Sequence, residues 1–113
     1  MNNEALNSIT ICVVGLGYVG HPLADAFSKH VRTIGYDVDS NRVDWINAMP
    51  ENKVIATTDP AMIRQADVVT IAVPTPVTRS KDPDTSYVIS AAEMIGQNMK
   101  NGAIVVLEST VYP

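Results

Sequence analysis

One cysteine, Cys12, is all the thiol chemistry this chain holds. A lone cysteine closes no internal disulfide and is too few for a thiolate metal cluster. Its place within an apolar stretch marks it as a buried, inert side chain, so no catalytic part and no metal site are expected. Long hydrophobic runs are also missing, none nearing the roughly 18 residues of a bilayer span, and no membrane partner is expected. Met1 to Ser8 lack a basic start and an apolar stretch, which argues against a secretory signal and makes the cytoplasm the expected compartment. Positive charge is scarce: 8 basic against 12 acidic side chains leave a net charge of −4. With no basic stripe and no aromatic-basic interleaving, nucleic acid is excluded as a partner. There are no repeats, low-complexity tracts or linkers. No two carboxylates have the context of an acid/base dyad, and Asp59, Asp82 and Asp84 read as caps and turns.

What is present is ordinary for one α/β domain: 113 residues, 46% hydrophobic and 18% charged. A chain of this length buries roughly two-thirds of its unfolded surface, enough for a core. The informative stretch is Ile11-Cys12-Val13-Val14-Gly15-Leu16-Gly17-Tyr18-Val19-Gly20, an apolar strand running into G-x-G-x-x-G. Gly15 permits the tight turn from strand to helix, Gly17 removes a Cβ that would hold the backbone away from a pyrophosphate, and Gly20 lets the helix lie close on the strand. Unpaired N–H groups of the first helical turn and the helix dipole then attract the phosphates. Asp37 ends the next apolar run, seventeen residues past Gly20. There the motif places an acid that accepts hydrogen bonds from the adenine-ribose hydroxyls. A carboxylate there repels a 2′-phosphate, and Val38 rather than Arg follows it, so the expected cofactor is NAD and not NADP. Glycine-rich turns that bind nothing, and methyltransferases, use similar spacings; the strand, helix and acid in sequence favour the dinucleotide.

Strands and helices alternate along the rest of the chain. A first strand is expected at Ile9–Val14, then a helix over Tyr18–Lys29 with Val19, Leu23, Ala26 and Phe27 buried and Pro22 in its first turn. A second strand, Thr33–Tyr36, leads to a short helix capped by Asp39 or Ser40, ending at Ala48 before Pro50, with Val43 and Ile46 toward the sheet. A weak strand at Val54–Ala56 precedes Thr58-Asp59-Pro60, which opens a brief helix to about Gln65. The continuous β-rich run Val68–Val73 reads as a central parallel strand covered on both faces. Pro74–Asp84 reads as an irregular loop at its carboxyl end, where ligands bind in such sheets. A last helix, Ser86–Lys100, carries Val88, Ala92, Ile95 and Met99 on one stripe, with Asn101-Gly102 as a left-handed stop, and a fifth strand covers Ala103–Leu107. Right-handed crossovers give a Rossmann-type doubly wound parallel sheet of order 3-2-1-4-5, helices on both faces, with a ligand crevice between strands 1 and 4.

Four segments together resemble the nucleotide-sugar dehydrogenases of the UDP-glucose/GDP-mannose dehydrogenase family. These are Val14–Gly20 with Pro22-Leu23-Ala24, Gly35-Tyr36-Asp37 with Arg42-Val43, Val73-Pro74-Thr75-Pro76, and Glu108-Ser109-Thr110-Val111-Tyr112-Pro113. They span nearly the whole chain, and the last two are the restrictive ones. The tail is similar to the branch acting on UDP-N-acetylhexosamines. The resemblance implies that Tyr18 and Val19 offer backbone N–H to the pyrophosphate, that Asp37 and Arg42 hold the adenosine ribose, and that Thr75 and Thr110 flank the nicotinamide half, with Ser109 beside them at the strand end. Thr110 would also help position a water near the reacting carbon, its one catalytic assignment here. The cofactor set is then Gly15, Leu16, Gly17, Tyr18, Val19, Gly20, Asp37, Arg42, Thr75, Ser109 and Thr110. In the family the primary alcohol of the sugar is oxidised twice, through a cysteine-bound aldehyde, with two NAD. The cysteine, lysine and asparagine needed belong to a downstream domain. Residues 1–113 are therefore expected to be the NAD-binding N-terminal part of a longer enzyme, inactive alone, with a UDP-sugar as substrate through that domain and a homo-oligomer as the full-length state.

His21 stands where the family has an apolar residue; it either adds attraction for phosphate or simply packs or faces solvent. Arg42 is equally readable as a solvated partner of Asp39, Thr75 as a turn former between prolines, Ser109 and Thr110 as turn residues, and Trp45 with Met49 as local packing. Two other functions remain open: a free-standing NAD-sensing module, and a short hydroxyacid dehydrogenase.

Overall fold

The computed structural model describes residues 8–76, 79, 84–108 and 111–112, with 75–76 and 111–112 by their backbone alone. The elements are β1 (Thr10–Val14), α1 (Gly20–Ser28), β2 (Arg32–Tyr36), α2 (Ser40–Asn47), β3 (Ile55–Thr57), a 3-10 helix (Pro60–Gln65), β4 (Val68–Ile71), β5 (Thr75–Pro76), α3 (Ser86–Asn98), β6 (Ile104–Leu107) and β7 (Val111–Tyr112). Five strands form one parallel sheet in the order β3-β2-β1-β4-β6, which is the expected 3-2-1-4-5 arrangement. β1 is central, pairing Val14 with Tyr36 of β2 on one side and with Ile71 of β4 on the other.

Alternation along the strands divides the core between the two faces of the sheet. Cys12 and Val14 join Ile34, Tyr36, Val69 and Ile71 under Ile63 of the 3-10 helix and Ala91 and Ile95 of α3. Val13 and Ala56 lie on the opposite face with Leu16, Ala24 of α1, and Val43 and Ile46 of α2. β4 is buried at Val69, Thr70 and Ile71, as a strand covered on both faces must be.

Caps fix where the helices begin. Asp39, not Ser40, caps α2, its carboxylate accepting from the N–H groups of Asn41 and Arg42. Asp59 caps the next segment through the Ala61 N–H, with Pro60 in the first turn. That segment winds as a 3-10 helix. Asp84 accepts from the Ser86 N–H and hydroxyl, which holds its carboxyl below the usual range. Asp82 lies outside the described residues.

Several expectations are corrected. In α1, Ala26 is exposed and Ala24 is the fully buried residue; Val19 and Phe27 pack against the core and Leu23 is half-buried, as expected, so the inward face passes through Ala24 rather than Ala26. In α3 the buried pair is Ala91 and Ile95, with Ala92 exposed. Ile95 is buried, Met99 packs against the core and Val88 is half-buried, as expected, so only Ala92 gives way, to Ala91. α3 ends at Asn98, so Gly102, with φ of 86°, shapes the turn into β6 rather than stopping the helix. β4 ends at Ile71, and Thr75–Pro76 pair in parallel with Val111–Tyr112 as a small second sheet where an irregular loop was expected.

Both edges of the main sheet have a distinct treatment. Beside β3, the Asn47 side chain donates to the Ala56 carbonyl at 2.9 Å and accepts from the Ala56 N–H at 3.2 Å, taking the place of a neighbouring strand. At the amino end near the other edge, Asp67 joins three strands. It accepts from the Thr10 N–H at 2.8 Å and from Lys100 Nζ at 2.6 Å, and its carbonyl accepts from the Ile104 N–H at 2.9 Å.

Candidate dinucleotide-binding site

The carboxyl ends of β1, β2 and β4 are tied together just past the strands. The Gly15 N–H donates to the Tyr36 carbonyl at 2.8 Å, the Ala72 N–H to Val14 at 2.8 Å, and the Asp37 N–H to Thr57 at 3.2 Å. These bonds hold three loops around one crevice. Gly15 has φ of 97°, a left-handed conformation that side-chain-bearing residues rarely adopt. A Cβ on Gly20 would drive into the Gly15 carbonyl, so this glycine is what allows α1 to approach the turn. Around Gly17 a Cβ would meet nothing within 4 Å. The backbone there borders open space.

The N–H groups of Gly17, Tyr18 and Val19 donate to no acceptor among the described residues, while the Gly17 and Val19 carbonyls already accept from His21 and Leu23. Three donors at the amino end of α1 are thus left without an acceptor among the described residues, beside that space, as an anionic diphosphate requires. Tyr18 contributes through its backbone; its ring is 97% exposed. Leu16 differs from its neighbours. Its side chain is fully buried and its N–H donates to Asp37 Oδ2 at 2.8 Å.

Asp37 is thereby fixed against the glycine turn, and its other oxygen accepts from the Asp39 N–H at 2.9 Å. An acceptor held by two amides is pre-set for further hydroxyl donors. Asp37 borders a cleft of about 360 Å³ that runs from Gly15 and Gly17 past Val38 to Val73 and Pro74 after β4. Its far wall is α3, through Tyr87, Ser90, Ala91 and Met94. The sequence reading missed this wall, although the spacing of 87, 90, 91 and 94 is that of one helix face. The walls are mostly apolar, suited to a flat heterocycle, with polar groups gathered at the glycine turn. Burial and the neighbouring carboxylates of Asp37 and Asp59 push the Tyr36 phenol above its usual value.

The remaining candidates fall in different places. Arg42 lies in the first turn of α2, its guanidinium carbon 5.5 Å from the centroid of the Trp45 ring. The His21 ring meets the same indole edge-on at 5.8 Å between centroids, which is the packing alternative for this residue. Thr75 is placed in β5 by its backbone. Ser109 and Thr110 lie outside the described residues. Cys12 is fully buried in β1 and desolvation pushes its thiol up to about 12, as expected of an inert cysteine. Another hollow, of about 440 Å³, lies at the opposite end of α1, where Lys29 and Lys53 face Asp25 and Glu51. Its charges balance. Among the described residues no helix is long and apolar enough to cross a membrane, and no group of His, Cys, Asp and Glu is placed to hold a metal.

A glycine turn with free amides, an acid at the end of β2 and an apolar slot beside β4 define a Rossmann domain of the dinucleotide-binding class. Residues 9–113 match the model of the UDP-glucose/GDP-mannose dehydrogenase family, NAD binding domain, and the chain belongs to that family. It is 41% identical over 119 residues to the UDP-N-acetyl-D-mannosamine dehydrogenase of Salmonella typhi, covering 89% of this chain and 28% of that protein. To the UDP-N-acetyl-D-glucosamine 6-dehydrogenase of Pseudomonas aeruginosa it is 34% identical over 121 residues, covering 96% and 29%. The solved UDP-D-ManNAc dehydrogenase of Pyrococcus horikoshii superposes with a TM-score of 0.81 at 31% identity, covering 90% of this chain and 28% of that one. The chain thus spans less than a third of the length of the relatives it matches. The family's cofactor is NAD, and the residues present fit it: open space at Gly17, three unclaimed amides and an anchored acid.

Proposed function

We propose that this chain is the NAD-binding domain of a longer nucleotide-sugar dehydrogenase that oxidises the C6 alcohol of a UDP-N-acetylhexosamine to the uronic acid. The observation that carries the cofactor half is the anchored Asp37 carboxylate beside the open amides of Gly17, Tyr18 and Val19. The sugar class is supported by relatives whose names are those of UDP-N-acetylhexosamine dehydrogenases.

In this reading the glycine turn and the first turn of α1 bind the diphosphate. Gly15 and Gly20 keep the turn and helix in contact, and Leu16 acts from below by filling the core and holding Asp37. The carboxylate takes the adenosine ribose hydroxyls, and Val38, Pro74, Tyr87 and Met94 exclude water from the adenine. Thr75, Ser109 and Thr110 belong to the nicotinamide end, with Thr110 helping to orient a water. When bound, NAD serves as the hydride acceptor for alcohol and then aldehyde oxidation. This domain supplies its position and orientation, and the groups that handle the sugar come from outside residues 1–113. The full enzyme acts in the cytoplasm as a homo-oligomer.

Calorimetric titration of the chain with NAD, NADH and NADP, with Asp37→Ala and Asp37→Asn beside it, tests the cofactor site. NAD and NADH bind and NADP binds more weakly, while both substitutions weaken NAD. Equal affinity for NADP defeats the ribose assignment. The sugar class is tested by following NADH formation by the enzyme encoded by the full reading frame with UDP-N-acetylhexosamines and UDP-glucose; preference for UDP-glucose defeats it.

A further inference from the structure

Tyr36 ends β2 directly before Asp37, on the face of the sheet that α3 covers. Its side chain belongs to the core with Val14, Ile34 and Ile71, and the residue is only 8% exposed. Yet its hydroxyl makes no hydrogen bond among the described residues. No fully buried side-chain oxygen or nitrogen among those residues lacks a partner, so this hydroxyl keeps an opening to space. The cavity that Tyr36 lines is the cleft of about 360 Å³ beside Asp37. Tyr87 and Ser90 bring further hydroxyls to that cleft, but both residues are exposed and open to water. The Tyr36 hydroxyl is different: a polar atom at the base of a nearly buried side chain's only outlet, aimed where a ligand would lie.

We infer that the Tyr36 hydroxyl reads the adenine of the cofactor, donating a hydrogen bond to a ring nitrogen of the base. The inference rests on the proposed cofactor site and adds a polar contact inside its apolar slot. Apolar walls accept any flat heterocycle, whereas a fixed hydroxyl distinguishes a base that offers it a partner from one that does not. A base lying in the cleft strips this hydroxyl of water, and a hydroxyl left bare counts against binding unless an acceptor replaces that water. Adenine carries such acceptors at N1, N3 and N7. Burial and the carboxylates of Asp37 and Asp59 favour the protonated phenol, so the hydroxyl has a proton to donate. The core already packs around the ring, so little side-chain freedom is lost when the bond forms.

The test titrates the wild-type chain and Tyr36→Phe by calorimetry with NAD, with ADP-ribose, and with ADP-ribose in which C–H replaces N1, N3 or N7 of the base. Tyr36→Phe weakens NAD and ADP-ribose alike, about two- to ten-fold, the worth of one neutral hydrogen bond. With one of the replaced bases the wild type loses a similar factor, and Tyr36→Phe then makes no further difference. Tyr36→Phe that binds NAD like wild type, or that loses the same factor against every replaced base, overturns the inference. So does a loss with NAD that ADP-ribose does not share, since that puts the hydroxyl at the nicotinamide end. Thermal unfolding without ligand gives a readout that a structural hydroxyl would move. The Tm of Tyr36→Phe stays at the wild-type value, and a fall of several degrees reveals a partner within the protein and overturns the inference. Wild-type chain that binds neither NAD nor ADP-ribose overturns the cofactor-site reading beneath it.

Discussion

Gly17 and Gly20 occupy one motif, yet their surroundings predict opposite outcomes for the same one-carbon change. A Cβ at Gly17 meets no atom within 4 Å, and its backbone is not left-handed, so Gly17→Ala is tolerated by the fold. Replacing a flexible glycine at a compatible site gains about 0.4–1 kcal/mol from the unfolded chain. The added methyl does intrude on the space the diphosphate needs. Displacing the phosphates from one N–H loses a hydrogen bond to a charged group, about 1.5–3 kcal/mol, so NAD binds about ten- to a hundred-fold more weakly. At Gly20 the methyl collides with the Gly15 carbonyl, and α1 must move off the turn. Overpacking of this kind costs about 1–3 kcal/mol, or about 3–15 °C in Tm for a domain this size. Thermal unfolding without cofactor, followed by calorimetric titration with NAD, separates the two. Gly17→Ala that binds NAD like wild type refutes the cradle, and Gly20→Ala with an undiminished Tm refutes the close helix approach.

Asp67 links acidity to stability. The Lys100 ammonium and the Thr10 amide hold its carboxyl below its ordinary value, so its contribution is fully present above the unfolded pKa of about 3.9 and is lost as pH falls through the lower folded value. The pair is partly exposed, so solvent screening limits it to about 1 kcal/mol; Tm against pH shows a steeper acid loss in wild type than in Asp67→Asn. Asn47→Ala strips β3 of two edge hydrogen bonds and lowers stability by about 1–2 kcal/mol in urea titration, and Asn47→Asp does not rescue it at neutral pH, because a carboxylate oxygen then faces the Ala56 carbonyl in place of the donor. Cys12, buried with its thiol pushed up to about 12, resists a disulfide reagent at pH 8 until the chain is unfolded, and fast labelling of folded protein contradicts this.

The glycine motif, Asp37 and the order of strands and helices were legible because each depends on local chemistry: a left-handed turn at Gly15, a carboxylate at a strand end, a short continuous apolar run in β1. Helix phase was less legible. Ala91 and Ala92 are adjacent and alike, so either fits a stripe with Val88, Ile95 and Met99, and only packing on β4 selects Ala91. The same choice turns Tyr87 and Met94 toward the cleft, so the adenine wall could not be read before the helix was docked.

By itself the sequence determined a dinucleotide-binding α/β domain, since glycine spacing and apolar periodicity constrain the backbone wherever they occur. Only tertiary structure decided what the polar side chains do. Asp37 reaches back across the sheet to the Leu16 amide, Asn47 stands in for a missing strand beside Ala56, and Arg42 shares the Trp45 ring with His21 from another helix. Each contact joins residues on different segments of the chain, and side-chain pairings of comparable energy are resolved only when folding brings one partner within reach and leaves the other out of it.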